Sequence, residues 1–291
     1  MSIGLALSGG GAKGAAHIGV LQALKELNIN VDYISGTSSG SIIATLYALG
    51  YQPFDILRMF NTYCREIADY DRLLPLKLVS TLFTGKIGIK GLAKGDKLES
   101  LIQRFCMVKQ IRNINEVDMP LAIPTVDLNT GETIYFLSKE LKTNTALRDN
   151  FDDIPTYKYS GNLASIVRAS SSFPCVFEPK IIDTNLLIDG GVRVNTPVLV
   201  LRKMGADVII ACTFDKNDKC STYNTNIISI AMKAFDIMGH QINVSEIENA
   251  DIVIRPNIED VGLLDFAKTN TLARQGYIAT KMMLKRTHLL S

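Results

Sequence analysis

Apolar residues along the chain keep two alternating rhythms. Residues 3–8 form a short, nearly continuous apolar run, which predicts a buried strand, and three glycines follow. Over residues 15–27 the apolar positions return with helical period, placing Ala16, Val20, Ala23, Leu24 and Leu27 on one face. Residues 31–35 predict a second strand and residues 41–49 a helix, with Gly50 as its stop and Pro53 beyond. Residues 121–127 and 132–137 predict a hairpin around Asn129-Thr130-Gly131. Further on, strands are predicted at 186–188, 208–213 and 251–255, the second of them buried on both faces, and a helix at 266–284.

Strands that alternate with helices predict an α/β fold: a three-layer α/β/α sandwich around a mostly parallel central sheet. No repeat, low-complexity tract or linker interrupts the pattern, so residues 1–291 are expected to form a single domain. Residues 55–105 depart from the alternation, with helical patterns and no good strand. Such an insertion is expected over a site or at a sheet edge. Within it, residues 71–97 set seven apolar side chains, Leu73 to Phe83, beside Arg72, Lys77, Lys86, Lys90, Lys94 and Lys97, opposed only by Asp71 and Asp96. That mixture suits a lid or a segment docking peripherally on anionic lipid. The alternative is an ordinary buried helix with a solvated basic rim.

Charge and cysteine content narrow the class. A formal net charge of +2 over 291 residues does not point to nucleic acid. Cys64, Cys106, Cys175, Cys212 and Cys220 are scattered, odd in number and without CxxC spacing, as expected of free thiols in a reducing compartment. No basic leader precedes the first strand and no run of 18 apolar residues occurs, so a cytoplasmic location is expected.

Three segments carry candidate chemistry. The first is Ser8-Gly9-Gly10-Gly11-Ala12-Lys13-Gly14, between a strand and a helix, where exposed backbone N–H groups form an anion site. Gly9, Gly11 and Gly14 also satisfy G-x-G-x-x-G, which keeps a dinucleotide-binding oxidoreductase or regulator as a rival. The rival needs an acid about 20 residues on, and Asp32 has the distance but precedes most of its strand. A P-loop is excluded because Ala15 and Ala16 follow Gly14. The second segment is Gly36-Thr37-Ser38-Ser39-Gly40. It fits G-x-S-x-G between a strand and a helix, either a nucleophile elbow or a helix cap built from Ser39 or Ser41. The third is Asp189-Gly190-Gly191 after a short strand, either an acid at the carboxyl edge of the sheet or a plain D-G turn.

Together these resemble the patatin-like phospholipase family, whose members carry a G-G-G-x-[KR]-G loop, a G-x-S-x-G serine and a D-G-[GA] aspartate in that order. Weaker likeness extends through Thr125-Val126-Asp127, the run Ala169-Ser170-Ser171-Ser172-Phe173-Pro174, and the helix after Asp265-Phe266. The chain looks like the short, single-domain bacterial type. The resemblance implies a serine lipid acyl hydrolase acting on phospholipids or related esters. Ser38 would be the nucleophile and Asp189 its base, a dyad without histidine. Gly9, Gly10 and Gly11 would line the oxyanion hole, with Lys13 holding the loop or a phosphate. His17, His240 and His288 are expected to take no catalytic part. No metal or cofactor is expected, since no calcium loop of the D-x-[DN]-x-[DN]-G type occurs. A lipid-binding module without catalysis remains the third reading.

Overall fold

The computed structural model describes residues 1–63, 91–142, 154–214, 227–259, 261–262 and 265–287. One sheet collects β1 (Ile3–Leu7), β2 (Tyr33–Gly36), β3 (Leu121–Asp127), β4 (Thr133–Leu137), β5 (Thr156–Lys158), β6 (Lys180–Ile182), β7 (Asn185–Asp189), β8 (Val208–Cys212) and β9 (Ile252–Ile254). Its main path runs β5-β4-β3-β2-β1-β8-β9, with β7 on β3 and β6 on β7. The pairs β1–β2, β1–β8, β2–β3, β8–β9 and β4–β5 are parallel, whereas β3–β4, β3–β7 and β6–β7 are antiparallel. The fold is therefore α/β with a mixed, mostly parallel sheet.

Helices cover both faces: α1 (Ala15–Glu26), α2 (Ser39–Ala48), α3 (Pro53–Tyr63), α4 (Asp96–Val108), α5 (Leu163–Ser170), α6 (Leu199–Met204), α7 (Ile227–Ile247) and α8 (Thr269–Arg286). The period-2 alternation of a strand divides β1 between two cores. Leu5 and Leu7 join Ile18, Leu21, Ile43, Ile56, Ile102 and Val167 on the thick face. Ala6 joins Val198, Leu201 and Met204 on the thin face. Each fully buried Leu or Ile contributes roughly 1.5–3 kcal/mol relative to exposure, so the thick face dominates the stability. There α1 and α8 cross with their backbones in contact. A Cβ at Gly19 would lie 1.7 Å from Ala273 O, and one at Gly276 would lie 1.9 Å from Ala16 O.

One detail of the sheet places the site. β3 pairs with β2 at Leu121 and Ala122, and with β7 from Thr125 to Asp127. Because β4 occupies the other edge of β3, β2 and β7 share a single edge, approaching from opposite directions. Their carboxyl ends converge beside Ile123 and Pro124.

The expected hairpin at 121–137 is present, with Gly131 in the left-handed region at φ 76°. The second strand begins two residues later than its apolar run suggests, because Asp32 turns its carboxylate onto Ile3 N–H at 2.7 Å. Strands β5 and β6 were not legible in the sequence: each has three residues, too few for a period to show. Of the insertion, α3 and α4 are described. The apolar and basic positions from Asp71 to Lys90 lie outside the described residues. Among the described residues no helix is long and apolar enough to cross a membrane.

Candidate active site

The turn after β2 is a strained elbow. Ser38 sits at φ 53° and ψ −123°, a region that costs a non-glycine residue on the order of 1–3 kcal/mol. The flanking glycines make the turn sterically feasible. A Cβ at Gly36 would meet Gly40 O at 2.3 Å, and one at Gly40 would meet Leu7 O at 2.4 Å. Polar contacts then hold the turn. Thr37 N–H donates to Leu7 O at 3.1 Å, and Thr37 Oγ1 donates to Val194 O at 2.9 Å. Ser41 Oγ donates to Ser38 O at 2.6 Å, and Ser38 N–H donates to Ser170 Oγ at 3.2 Å. The alternative of a side-chain helix cap is not what forms: among the described residues no side chain caps α2, and Ser39 Oγ is buried without a partner.

Asp189 ends β7, opposite Thr125 in the ladder, and is 1% exposed. Its N–H donates to Ser172 O at 3.1 Å, and its Oδ1 accepts Gly191 N–H at 2.8 Å. Burial pushes the carboxyl from 3.8 up to about 7, against the opposing pull of the Gly191 N–H and the nearby Ser38 hydroxyl. Oδ2 takes no hydrogen bond that meets full geometry among the described residues. Such bonds are commonly loose before substrate arrives. The structure thus brings together Ser38 and Asp189, two residues 151 positions apart in the sequence.

The glycine loop lies alongside. Ser8 N–H donates to Cys212 O at 3.0 Å and Gly9 N–H donates to Asn195 O at 3.1 Å. This corrects one expectation. Gly9 is not an available oxyanion donor, because its amide is spent on fastening the loop. Its missing side chain matters instead: a Cβ there would stand 2.7 Å from Asn195 Oδ1 and 3.2 Å from Ser38 Cβ. The amides of Gly10 and Gly11 take no backbone acceptor among the described residues, nor does that of Ser39 at the start of α2. Phe214 lies against Gly10, where a Cβ would meet its ring at 2.6 Å. Lys13 is half-buried in the short turn (Gly11–Gly14) that opens α1.

His17 is fully buried under this loop. Its Nε2 contacts Ser8 O at 2.8 Å, and since a carbonyl only accepts, Nε2 carries the proton. Its ring packs on Phe214 at 4.7 Å between centroids. Burial lowers its pKa to about 4, partly offset by the Ser8 carbonyl, so the ring is neutral near pH 7. His240 is exposed on α7, and His288 lies outside the described residues. Asp32, the acid the dinucleotide rival required, is bonded at the amino end of β1, the opposite end of the sheet from the glycine loop. Cys106, Cys175 and Cys212 are free thiols.

Sequence reasoning named Ser170 and Ser172 only as part of a run resembling the family, without a role, and missed Asn195 and Phe214, all of which hold the site. The available signals were the serine run 170–172 and a proline, Pro124, inside an apolar strand.

Buried carboxylate, strained serine and glycine-loop amides meet at the carboxyl edge of an α/β sheet, the layout of a hydrolase site. The chain belongs to the patatin-like phospholipase family, whose family model matches residues 5–202. It is 29% identical to a patatin-like phospholipase domain-containing protein of Caenorhabditis elegans over 94% of this chain and 20% of that protein. It is 25% identical to the lysophospholipase NTE1 of Meyerozyma guilliermondii, covering 95% of this chain and 19% of that protein. An uncharacterized NTE family protein of Mycobacterium tuberculosis is 25% identical, with 98% of this chain and 46% of that one aligned. The chain therefore spans about a fifth to a half of these relatives' lengths. The crystal structure of VipD from Legionella pneumophila shares the fold, at TM-score 0.51 and 16% identity over 98% of this chain and 67% of that one.

Proposed function

We propose that the protein is a serine lipid acyl hydrolase that cleaves carboxylic esters of phospholipids or lysophospholipids through a Ser38–Asp189 dyad. The observation that carries this reading is the strained Ser38 beside a buried carboxyl whose pKa is raised to about 7. A carboxylate at its ordinary 3.8 is a poor base for a hydroxyl, whereas one near 7 is matched to neutral pH.

Asp189, in its ionised form, takes the Ser38 proton as Oγ attacks the ester carbonyl. The tetrahedral oxyanion is stabilised by the amides of Gly10 and Gly11, aided by that of Ser39. Donors of this kind contribute roughly 3–4 kcal/mol each in a dry site. Asp189 returns the proton to the departing alcohol and leaves an acyl-serine. Water, deprotonated by the same carboxylate, then attacks the acyl-serine, and the proton passes back to Ser38 Oγ as the fatty acid leaves. Lys13, in the turn beside these amides, supplies positive charge for a phosphate head group. The described histidines are left to structural work.

Activity-based labelling with a fluorophosphonate, followed by peptide mapping, tests the nucleophile: modification at Ser38 is expected, and modification elsewhere would refute the reading. The base is tested by the pH profile of kcat/KM, which should rise with a single apparent pKa near 7 as Asp189 ionises. A flat profile between pH 5 and 9 would remove Asp189 from the role.

A further inference from the structure

The sheet has a gap at the point where the site is built. β2 leaves β3 after Ala122 and β7 joins it only at Thr125, so Ile123 and Pro124 take no ladder partner from either strand. A proline in the middle of a sheet normally forfeits a ladder bond. Here it has no N–H to leave orphaned, but its carbonyl still needs a donor. That donor is the hydroxyl of Ser170, at 2.7 Å. The same oxygen accepts the N–H of Ser38 at 3.2 Å. Ser170 is fully buried at the last turn of α5. Two residues on, Ser172 O accepts the N–H of Asp189.

One short turn therefore holds the backbones of both Ser38 and Asp189. No pairing joins β2 to β7, so no ladder bond fixes the distance between the two residues. The turn is itself anchored. Arg168, 2% exposed, donates to Ser172 Oγ at 2.5 Å, to Glu178 O at 2.8 Å and to Lys94 O.

We propose that Ser170 is a positioning residue: its hydroxyl bridges the gap in the sheet, keeps the Ser38 backbone in its strained conformation, and sets the spacing between Ser38 and Asp189. The proposal rests on the dyad reading above. With the hydroxyl gone, the Ser38 amide and the Pro124 carbonyl both lose their partner. The elbow is then free to relax away from φ 53°, and the serine oxygen drifts from the carboxyl. The bond spans two backbones, so catalytic rate should suffer and substrate affinity should not.

The test compares Ser170→Ala with Ser170→Thr, which keeps a hydroxyl, in the full chain. Ser170→Ala should lower kcat about a hundredfold with KM within about threefold, the signature of misplaced groups rather than lost binding. Fluorophosphonate labelling should slow in parallel, and Ser170→Thr should recover to within about tenfold of wild type. Amide hydrogen exchange at Ser38 gives a readout independent of turnover: faster in Ser170→Ala, still protected in Ser170→Thr. Should Ser170→Ala not fold, Ser170→Cys replaces it, with similar volume and a poor acceptor, under the same expectations. Normal kcat in a folded alanine or cysteine variant would overturn the proposal. So would unchanged Ser38 exchange, or threonine and alanine variants equally impaired. A wild type never labelled at Ser38 would refute the dyad instead, while the exchange measurement would still judge the bridge.

Discussion

The turn after β1 and the turn after β2 leave neighbouring parallel strands at the same level, Leu7 beside Gly36. Each joins a strand to a helix through glycines, yet they are held differently. The β1 turn is fastened from outside: Ser8 by Cys212 and His17, Gly9 by Asn195, with Phe214 packed against Gly10. The β2 turn draws on its own helix through the Ser38 carbonyl as well as on outside support, with Leu7 and Val194 holding Thr37 and Ser170 holding the Ser38 amide. Under the proposed mechanism, the difference follows from what each must offer. A loop that presents backbone amides must leave them unpaired, so its stability comes from other parts of the chain. An elbow that lifts one hydroxyl can use the α2 ladder at once, at the cost of a strained residue.

That contrast can be broken at either turn. The largest effect is expected where the elbow meets the acid. Ser38→Ala and Asp189→Asn should each cut ester turnover about a thousandfold or more, with Ser39→Ala far milder, measured beside circular dichroism to confirm folding. Asp189→Asn should also change stability. Because the folded pKa is raised above 3.8, the native state holds the proton more tightly, and stability is lost as pH rises through about 7. The neutral amide escapes that penalty. The variant should therefore melt at higher temperature than wild type at pH 8, the gain fading toward pH 4. An Asn variant less stable at pH 8 would contradict the buried, costly carboxylate.

Gly9→Ala attacks the seam between the two turns. Its methyl would press on Asn195 Oδ1 and Ser38 Cβ, and turnover should fall about a hundredfold with modest loss of thermal stability. Wild-type kinetics in that variant would show that the loop can shift without consequence. His17→Leu removes the anchor of Ser8 O while keeping the site apolar. A decrease of about tenfold in kcat is expected, with His17→Gln, which retains an N–H, closer to wild type; identical rates for the pair would make the histidine mere filling. Smallest of all is the effect of His240→Ala, at an exposed position of α7. That variant should stay within about twofold of wild type in an ester assay, and a collapse there would replace the dyad with a histidine mechanism.

The elements that were legible from sequence are those whose determinants are local. β1, β3 and β8 announce themselves by apolar runs, the hairpin by Asn129-Thr130-Gly131, and both turns by their glycines. The rest depends on contacts between distant segments. Nothing near Gly9 reveals that its amide is taken by Asn195, 186 residues away in sequence. Nothing near Ser170 tells that its hydroxyl fills a gap between strands. β6 is defined only by its pairing with β7, since three half-buried or exposed residues carry no period. The raised pKa of Asp189 likewise belongs to the packed structure, because an Asp before two glycines reads as a turn until burial around it is known.

The backbone contact of Gly19 with Ala273 and of Gly276 with Ala16 bears on how this protein can be cut. The family model ends at residue 202, which suggests a convenient boundary. Beyond it, however, lie β8, whose Cys212 carbonyl holds Ser8, Phe214, which packs against Gly10, and α8, which presses its main chain onto the helix carrying His17. A fragment stopping at the shared boundary would keep the serine and the aspartate yet lose the supports of the amide loop. The stretch that the family model matches and the stretch that supports the amide loop are therefore different lengths of chain, and the supports reach into the C-terminal helix.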